Sequence, residues 1–273
     1  MEITLKPKYF FKVPVEAECI SPDAFAGKTL EEIAKLKSWE GNKERNLGDL
    51  FHIDGESAAK PEVVAIKILG NVHKVRRIGS AMTAGEIFIQ GDAGLHLGEE
   101  MKGGRITVEG NAESWTGAMM KDGTIEVKGN VGDYVGSAYR GSVKGMRGGT
   151  ITIDGNAGNE IGCFMRQGLI KVYGNVGQFA GMHMQNGTIF VGGDSDGRDG
   201  AEMTGGKLVV CGNVPSILPT FVIDSVKAKA KINGDEILGP FYLFTGDVTE
   251  DGSGKLYVSK KKNPHLSRYE TFL

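Results

Sequence analysis

The amino-acid sequence predicts an all-β protein: a right-handed parallel β-helix of about seven to eight coils, with an N-terminal mixed α/β extension and a C-terminal β cap. Three observations predict it. Glycine accounts for 42 of the 273 residues, about 15% against a usual 7%, without the period of three that collagen requires. One pattern recurs every 19 residues. Each recurrence contains a single alternating apolar stretch of strand length.

The repeated pattern reads Gly-x-apolar-x-apolar-x-Gly-Asn/Asp, as in GRITVEGN and GTIFVGGD. The residues that open its copies are Gly85, Gly104, Gly123, Gly149, Gly168, Gly187 and Gly206, and an eighth, less regular copy starts at Val64. The alternation predicts a strand with one buried face. The closing Gly-Asn or Gly-Asp pair predicts a tight turn, because these residues tolerate positive φ angles.

Two further columns mark the corners of each repeat. The first column comprises Asn71, Asp92, Asn111, Asn130, Asn156, Asn175, Asp194 and Asn213. Its stacked side chains are predicted to form a ladder of hydrogen bonds. The second is a glycine column that comprises Gly79, Gly98, Gly117, Gly136, Gly162, Gly181 and Gly200. A unit with one strand and two corners cannot bury its apolar face alone, so the repeats must stack on one another.

Seven of the ten methionines lie three residues before a glycine that opens a repeat. They are Met82, Met101, Met120, Met146, Met165, Met184 and Met203. The methionines are predicted to fill the interior, where an unbranched thioether occupies the space that glycines leave. The alternative is a line of soft ligands for copper(I). It is disfavoured because no histidine or cysteine joins the column.

The segments outside the repeats are predicted to cover the two open edges of the β-helix. Residues 1–63 form the N-terminal extension, with one or two strands in ITLKPKYFFKVPVEA and a short helix whose Thr29 and Glu32 have capping-box spacing. Residues 64–221 form the repeats. Residues 222–273 form the C-terminal cap, with strands in VIDSVKAKAKING, FYLFTGD and KLYVSKKK.

One repeat carries seven extra residues, located around Tyr139 to Gly148 in YRGSVKGMRG. An insertion at a corner is predicted to project outward, and this one carries Arg140, Lys144 and Arg147. Two interpretations stay open: a tolerated loop, or a contact with an acidic partner surface.

Composition excludes several function classes. A net charge of −2 and a pI near 6.2 argue against nucleic-acid binding, and no apolar run reaches the roughly 18 residues that cross a bilayer. The N-terminal MEITLKPKYFFKV lacks the features of a signal peptide, so a cytoplasmic protein is expected. The three cysteines are scattered, and the five histidines do not align on adjacent repeats. No catalytic residue, cofactor site or metal site is therefore assigned.

One acidic segment stays open as a calcium loop. GGDSDGRDG, residues 192–200, places Asp194, Asp196 and Asp199 among glycines, and such oxygen ligands suit Ca²⁺. It lacks the final glutamate of an EF-hand, and Asp194 already belongs to the ladder column.

The motif Gly-x-x-Met-x-x-Gly-x-Ile-x-Val-x-Gly-Asn resembles the glycine-rich β-helix shared by the C subunit of formylmethanofuran dehydrogenase and the C-terminal domain of the glutamate synthase large subunit. The match covers roughly residues 64–218, and its first glycine is present in six of seven copies. The exception is Val143, beside Met146. LKPKYFFKVPVEAECISPDAFAGKTLEEI and WEGNKERNLGDLFHIDGE look like the extension of the dehydrogenase subunit. With no amidotransferase or flavin domain in these residues, the resemblance favours that family.

The resemblance implies a cytoplasmic, multi-subunit archaeal complex that reduces CO₂ and condenses the formate with methanofuran. In it a pterin-binding catalytic subunit holds tungsten or molybdenum, ferredoxin-like subunits hold iron–sulfur clusters, and an amidohydrolase-like subunit holds a binuclear metal centre. The C subunit has none of these and no catalytic residue. It is expected to be a rigid structural subunit of a higher-order oligomer.

Three alternatives remain beside this interpretation. The first is a subunit of a glutamate synthase, and the second is the C subunit of the related bacterial formyltransferase/hydrolase complex. The third is a stand-alone β-helix enzyme or calcium-binding module. The choice between tungsten and molybdenum is not encoded in this chain, since the resemblance places that metal in another subunit.

Overall fold

The computed structural model describes residues 1–273, and its largest element is a 13-stranded sheet. The strands are β1 (Glu2–Pro7), β2 (Val15–Glu16), β3 (Lys37–Glu40), β4 (Lys43–Asn46), β5 (Phe51–Gly55), β6 (Ala65–Ile68), β7 (Val75–Arg76), β8 (Glu86–Ile89), β9 (Lys102–Val108), β10 (Asp122–Val127), β11 (Arg147–Ile153), β12 (Gln167–Val172), β13 (Thr188–Val191), β14 (Lys207–Val210), β15 (Val222–Ile232), β16 (Asp235–Gly246) and β17 (Gly254–Ser259). The α-helices are α1 (Pro22–Phe25), α2 (Leu30–Ala34) and α3 (Leu47–Leu50). Short 3-10 helices span Pro61–Val63, Val248–Glu250 and Pro264–Phe272.

The large sheet is parallel in its middle and antiparallel at both ends. Its order is β15-β16-β17-β14-β13-β12-β11-β10-β9-β8-β6-β1-β5. In this order, the strands from β17 to β1 pair in parallel with their neighbours. At the ends, β5 pairs antiparallel with β1, and β16 pairs antiparallel with both β17 and β15. The prediction of an all-β protein is confirmed, and the sheet is mixed because hairpin strands complete its edges. Asn233 and Gly234, with φ of 47° and 97°, form the tight turn of the β15–β16 hairpin.

Successive repeats contact each other along three lines. The strands pair in register, so Ile106 lies beside Ile125. A second line consists of single parallel bridges just beyond the Asn/Asp column, such as Ala112 to Val131. At the glycine corner, the Gly117 N–H donates to the carbonyl oxygen of Leu97 at 2.8 Å. The repeats in the middle of the series are thus hydrogen-bonded to both neighbours along all three lines.

The interior between these lines is a continuous apolar core. The inward strand residues Ile106 and Val108 are completely buried. All seven methionines of the column are buried, with exposed fractions of 0 or 1%. Met119 directly precedes Met120 but lies outside the column, and it is half-buried on the outer side. The alternation of apolar and other residues in the sequence therefore correctly predicts which side chains face the core.

The expected reason for the Gly-Asn turn is wrong. From Gly91 onward, neither the glycine nor the Asn/Asp of this pair has a positive φ. A Cβ built on Gly110 lies 2.5 Å from Asp92 Oδ1 and 2.7 Å from the carbonyl carbon of Gly91. Glycine is required there because successive repeats stack too closely for a side chain. Positive φ occurs instead at the opening glycines, such as Gly104 at +81°.

The predicted asparagine ladder is confirmed, with one difference in its bonding. The side-chain oxygen of Asn111 accepts from the backbone N–H of Asn130 at 2.8 Å, and that of Asn130 accepts from the backbone N–H of Asn156 at 2.8 Å. The ladder thus joins side chain to backbone, and it continues to Asn213. Beyond it, Asn263 of the C-terminal segment accepts from the Val214 N–H at 2.7 Å.

The N-terminal extension contains the strands and the capped helix that the sequence predicts. Thr29 Oγ1 accepts from the Glu32 N–H, and Glu32 Oε2 accepts from the Thr29 N–H, so the capping box before α2 is confirmed. Strands β2, β3, β4 and β7 form a second, four-stranded sheet. Arg77, at the first corner of the repeats, contacts both Glu16 and Glu18 of the extension. These ion pairs tie the extension to the repeats.

The β15–β16 hairpin packs on the outer face of the sheet. Ala230, Ile232 and Phe241 of the hairpin form a small apolar cluster whose sheet residues are Leu169, Phe190 and Val209. One outward residue on each of β12 to β14 is therefore buried, and Leu169 contrasts with Arg105 and Thr124, which hold its position in earlier repeats and are not buried. This second layer exists only at the C-terminal end.

Candidate interaction surface

Each repeat turns its glycine corner with non-glycine residues in the left-handed αL conformation two positions before and two positions after the corner glycine. The first αL column comprises Arg77, His96, Trp115, Tyr134, Glu160, Phe179 and Arg198, with φ between 56° and 68°. The second comprises Ala81, Glu100, Met119, Phe164, His183 and Glu202, with φ between 54° and 57°. We call the surface formed by these two columns the αL face.

The αL conformation of these residues serves the stacking of the repeats. It directs the Trp115 N–H to the carbonyl oxygen of Asp133 at 2.9 Å and the Met119 N–H to that of Ser137 at 3.1 Å, both in the next repeat. A non-glycine αL residue costs about 1–2 kcal/mol, and an inter-repeat hydrogen bond offsets most of it. The backbone is therefore fixed by the fold, whereas the side chains are free to differ.

Aromatic side chains occupy the middle of the αL face. The rings of His96 and Trp115 stack with centroids 6.0 Å apart, and those of Trp115 and Tyr134 with centroids 4.3 Å apart. In the second column, Phe164 and His183 stack at 4.3 Å. Stacked rings stabilise one another, and these remain half-buried. The αL face thus presents an aromatic strip along successive repeats.

The seven-residue insertion opens on this same face. Elsewhere the methionine N–H donates to the corner glycine three residues earlier, as Met120 does to Gly117 at 3.1 Å. In the longer repeat the Met146 N–H donates to Gly136 at 2.8 Å, and residues 137–145 bulge out between them. We call residues 137–145 the insertion loop. The missing first glycine at Val143 is thereby explained, because Gly136 occupies the position in space.

The insertion loop and the aromatic strip enclose a cavity of about 260 Å³. Its lining includes Trp115, Tyr134, Tyr139, Arg140, Phe164 and Met182. The Tyr139 ring lies 5.2 Å from that of Trp115, yet 45% of Tyr139 is exposed. Val143, further along the loop, is 53% exposed. The site is therefore an open, mainly apolar depression beside exposed apolar loop residues.

The charges of the insertion loop are all positive. Arg140 and Lys144 are exposed, neither forms an ion pair within the chain, and no acidic residue lies between Ser137 and Arg147. Arg147 does not project from the loop: it begins β11 and is half-buried, and its Nε is buried without a hydrogen-bond partner. Two of the three predicted contact residues thus lie on the loop.

The described residues contain no group of three or more His, Cys, Asp or Glu side chains arranged to hold a metal ion. The three cysteines are free, and Cys163 borders the cavity. Burial raises the pKa of the Cys163 thiol to about 12, and the charge of Glu160 adds to that effect. The thiol is therefore protonated at neutral pH. No helix combines the length and apolarity that crossing a bilayer requires.

The acidic residues of GGDSDGRDG point to different places. Asp194 accepts from Asn213 in the ladder, Asp196 is exposed, and Asp199 is buried. Asp199 Oδ1 accepts from Ser195 Oγ at 2.7 Å, while its Oδ2 has no partner. Burial raises the pKa of Asp199 to about 7; the Ser195 hydrogen bond opposes this and the charge of Asp196 adds to it. These carboxylates do not converge on one ion.

The sequence patterns did not reveal the αL face. Its columns contain charged, aromatic and small residues in turn, so a search for repeated residue types passes over them. The available signal is positional: the corner glycine column is constant, and the residues two positions on either side of it fall at one place on every repeat.

Comparisons with known proteins give closely related relatives. None of the known protein-family models matches the chain. The C subunit of the tungsten-containing formylmethanofuran dehydrogenase 2 from Methanococcus maripaludis is 47% identical over 272 residues, covering 97% of this chain and 99% of the relative. The C subunits of the enzymes from Methanothermobacter wolfeii (tungsten-containing, 45% identical) and Methanosarcina barkeri (molybdenum-containing, 41% identical) match over 97 and 96 residues. These two matches span 36% and 35% of this chain, and 36% and 32% of the relatives' length.

A solved structure is also similar over nearly the whole chain. It is a chain of the formyltransferase/hydrolase complex from Methylorubrum extorquens, determined in complex with methylofuran. The TM-score is 0.81 at 29% identity, and the superposition covers 94% of this chain and 99% of that one.

Proposed function

The chain belongs to the family of formylmethanofuran dehydrogenase C subunits, and from this premise we propose that it is a structural, non-catalytic subunit of a multi-subunit formylmethanofuran dehydrogenase. The complex reduces CO₂ and attaches the resulting formyl group to methanofuran. The observation that carries this proposal is the 47% identity to one such C subunit over 97% of the chain. The tungsten or molybdenum pterin, the iron–sulfur clusters and the binuclear metal centre belong to the partner subunits.

The repeats form a right-handed parallel β-helix of seven to eight coils, with residues 1–63 as the N-terminal extension, 64–221 as the helix and 222–273 as the C-terminal cap. Three lines of contact support this arrangement, because each advances by one repeat at the strand, at the bridge and at the glycine corner. The antiparallel strands β5, β15 and β16 support the assignment of covered ends.

The mechanical role follows from the pairing of the strands. Every strand from β6 to β14 that belongs to the large sheet is hydrogen-bonded on both sides, and such a stack resists bending. A rigid rod holds partner subunits at fixed positions. In this complex the positions that matter are those of CO₂ reduction and of formyl condensation, between which formate passes.

An in-phase deletion tests this role. Removing residues 149–205 deletes three complete repeats of 19 residues and joins Gly148 to Gly206. A shortened rod is expected to disassemble the complex, or to uncouple CO₂ reduction from condensation so that free formate escapes. The measurements are co-purification of partner subunits and the ratio of formate to formylmethanofuran, with circular dichroism of the variant as the folding control. Full assembly with coupled activity contradicts the proposal.

A second candidate function is that of the C subunit in a formyltransferase/hydrolase complex, favoured by the TM-score of 0.81 to a chain of that assembly. The two complexes differ in their partners and metals. Affinity purification of the tagged chain with metal analysis separates them: stoichiometric tungsten or molybdenum supports the dehydrogenase, and its absence from an intact, active complex supports the formyltransferase/hydrolase.

A further inference from the structure

Among the repeats that open at Gly85 to Gly206, the insertion loop is the one place where the 19-residue period is broken. It adds exposed Tyr139 and Val143 to an otherwise continuous corner. A Cβ built on Gly141, near the loop tip, meets no atom within 4 Å. The tip therefore stands clear of the rest of the chain, and Tyr139 stays partly exposed although its ring contacts that of Trp115. Exposed apolar groups next to an aromatic depression are typical of a protein-binding site.

The cavity beneath the loop has the dimensions of an anchor pocket. Its volume of about 260 Å³ and its walls of Trp115, Phe164 and Met182 suit one large apolar side chain. Its polar lining residues include Arg140, Ser142 and Glu160. A side chain that enters this pocket loses its water contacts, and such buried anchors contribute most of the affinity of an interface.

Positive charges beside the cavity favour an acidic partner. Arg140 lines the cavity, Lys144 lies on the same loop, and both lack an intramolecular acidic partner. A second copy of this chain does not complement such a rim, because a two-fold contact through one face brings the same cations together. The complementary surface must carry carboxylates.

We propose that the αL face and its insertion loop dock an acidic segment of another subunit of the complex. An apolar side chain of that segment occupies the cavity lined by Trp115, Tyr139 and Phe164, and flanking Asp or Glu residues pair with Arg140 and Lys144. This docking site rests on the proposed function, since it requires a partner subunit, and it identifies the chemistry of one contact.

Photo-crosslinking in the intact complex tests the location. A benzoyl-phenylalanine replaces Val143 in the full chain, and in a control it replaces Tyr173, which is equally exposed at 53% but follows β12 on the strand side. The Val143 position is expected to crosslink to a peptide of another subunit that contains Asp or Glu. The Tyr173 position is expected not to label that peptide. Crosslinks only to a second copy of this chain, or none in an intact complex, overturn the proposal.

Substitutions test the chemistry. The double variant Tyr139→Ser, Val143→Ser removes apolar contacts and is expected to speed dissociation of the subunit by at least about tenfold. The double variant Arg140→Glu, Lys144→Glu is expected to slow association and to abolish its acceleration at low salt. Both variants are expected to keep the wild-type melting temperature, because these side chains are exposed, and Tyr173→Ser is the matched control.

The failure of this inference and that of the proposed function are distinguishable. If the wild-type chain assembles and both double variants assemble with unchanged rates, the docking site is refuted and the subunit role stands. If the wild-type chain purifies with no partner subunit, both are refuted.

Discussion

The interior of the repeats and the αL face are made by the same units but vary in opposite ways. Inside, the position three residues before each opening glycine is methionine in all seven repeats from Met82 to Met203. Outside, the first αL column changes its residue type at every step from Arg77 through Trp115 to Arg198. Close packing requires one shape at each interior level, whereas the αL backbone is satisfied whatever its side chain. The packing of the fold therefore determines the interior side chains, whereas the side chains of the αL face can vary to suit a binding partner.

The largest effect is expected from a methyl group placed between two repeats. Gly149→Ala puts a Cβ 2.7 Å from the carbonyl oxygen of Gly123 and 3.0 Å from the carbonyl carbon of Asp122, and φ is +81°. Because these are backbone atoms, they cannot move without separating two repeats, so we expect a loss of at least about 4 kcal/mol.

Gly141→Ala is the matched control for this substitution. Its φ is +84°, but no atom lies within 4 Å of the added Cβ. Only the αL strain remains, and the expected loss is about 1 kcal/mol. Chemical denaturation of both variants measures the difference, and equal losses contradict the assignment of Gly149 to a close contact between repeats.

A pair of adjacent methionines compares the interior with the αL face directly. Met120 is completely buried, whereas Met119 is half-buried on the outer side. Met120→Ala is expected to lower the free energy of unfolding by about 3 kcal/mol because it leaves a cavity. Met119→Ala is expected to change it by about 0.5 kcal/mol. Urea titrations test this, and a reversed order places the wrong methionine in the core.

A buried carboxyl group occurs in the repeat that opens at Gly187. Asp199 lies at the position that Ile161 and Ala180 hold in the preceding repeats, and its pKa is raised from 3.8 to about 7 in the folded chain. The folded chain therefore keeps a proton that the unfolded chain releases between about pH 4 and pH 7. The retained proton stabilises the folded chain. This stabilisation is fully present below about pH 4, and about 2 kcal/mol of it is lost between pH 5 and pH 7.

Asp199→Ala is expected to remove this fall in stability between pH 5 and pH 7. Asp196→Asn, at an exposed neighbouring carboxylate, is expected to retain it. Unfolding curves at several pH values give the slopes. A wild-type slope in the Asp199→Ala protein assigns the pH dependence to other groups.

The smallest effect is expected in the asparagine ladder. Asn130→Ala leaves the Asn156 N–H without its side-chain acceptor, but the site is exposed and water replaces that acceptor, so the expected loss is about 1 kcal/mol. Asn130→Asp keeps an acceptor, as Asp92 and Asp194 do in their repeats, and is expected to recover most of the stability. Equal losses in both variants show that the acceptor is unimportant.

The period-based parts of the fold were predictable because packing repeats them. The strands, the buried alternation, the methionine column and the ladder each follow from residues that recur every 19 positions. The reason for the Gly110-Asn111 turn was wrong because the sequence gives no distance to the preceding repeat. The strands of the C-terminal hairpin were predicted, but its docking over Leu169 and Phe190 was not, since nothing local specifies where a hairpin docks.

The candidate surface was only partly predictable. The length anomaly located the insertion loop, and Arg140 and Lys144 are exposed on it. The depression beneath it was not predictable, because Trp115 and Phe164 come from different repeats and meet only through stacking. The placement of Arg147 in β11 depends on where the chain resumes the repeat after the loop, which is at Met146.

The asparagine ladder also has the properties of a polymer with a head and a tail. Each Asn or Asp offers a side-chain acceptor to the following repeat and a backbone N–H donor to the preceding one. The series therefore has a direction, and no bond within it limits the number of repeats. Asn263 acts as the end group: its Oδ1 accepts from Val214, and its Nδ2 donates to Gly212 and Ser259. Unlike a closed ring, whose unit number is set by geometry, an open series of this kind has no geometrically fixed number of units. Whole units can therefore be gained or lost while Asn263 remains the end group.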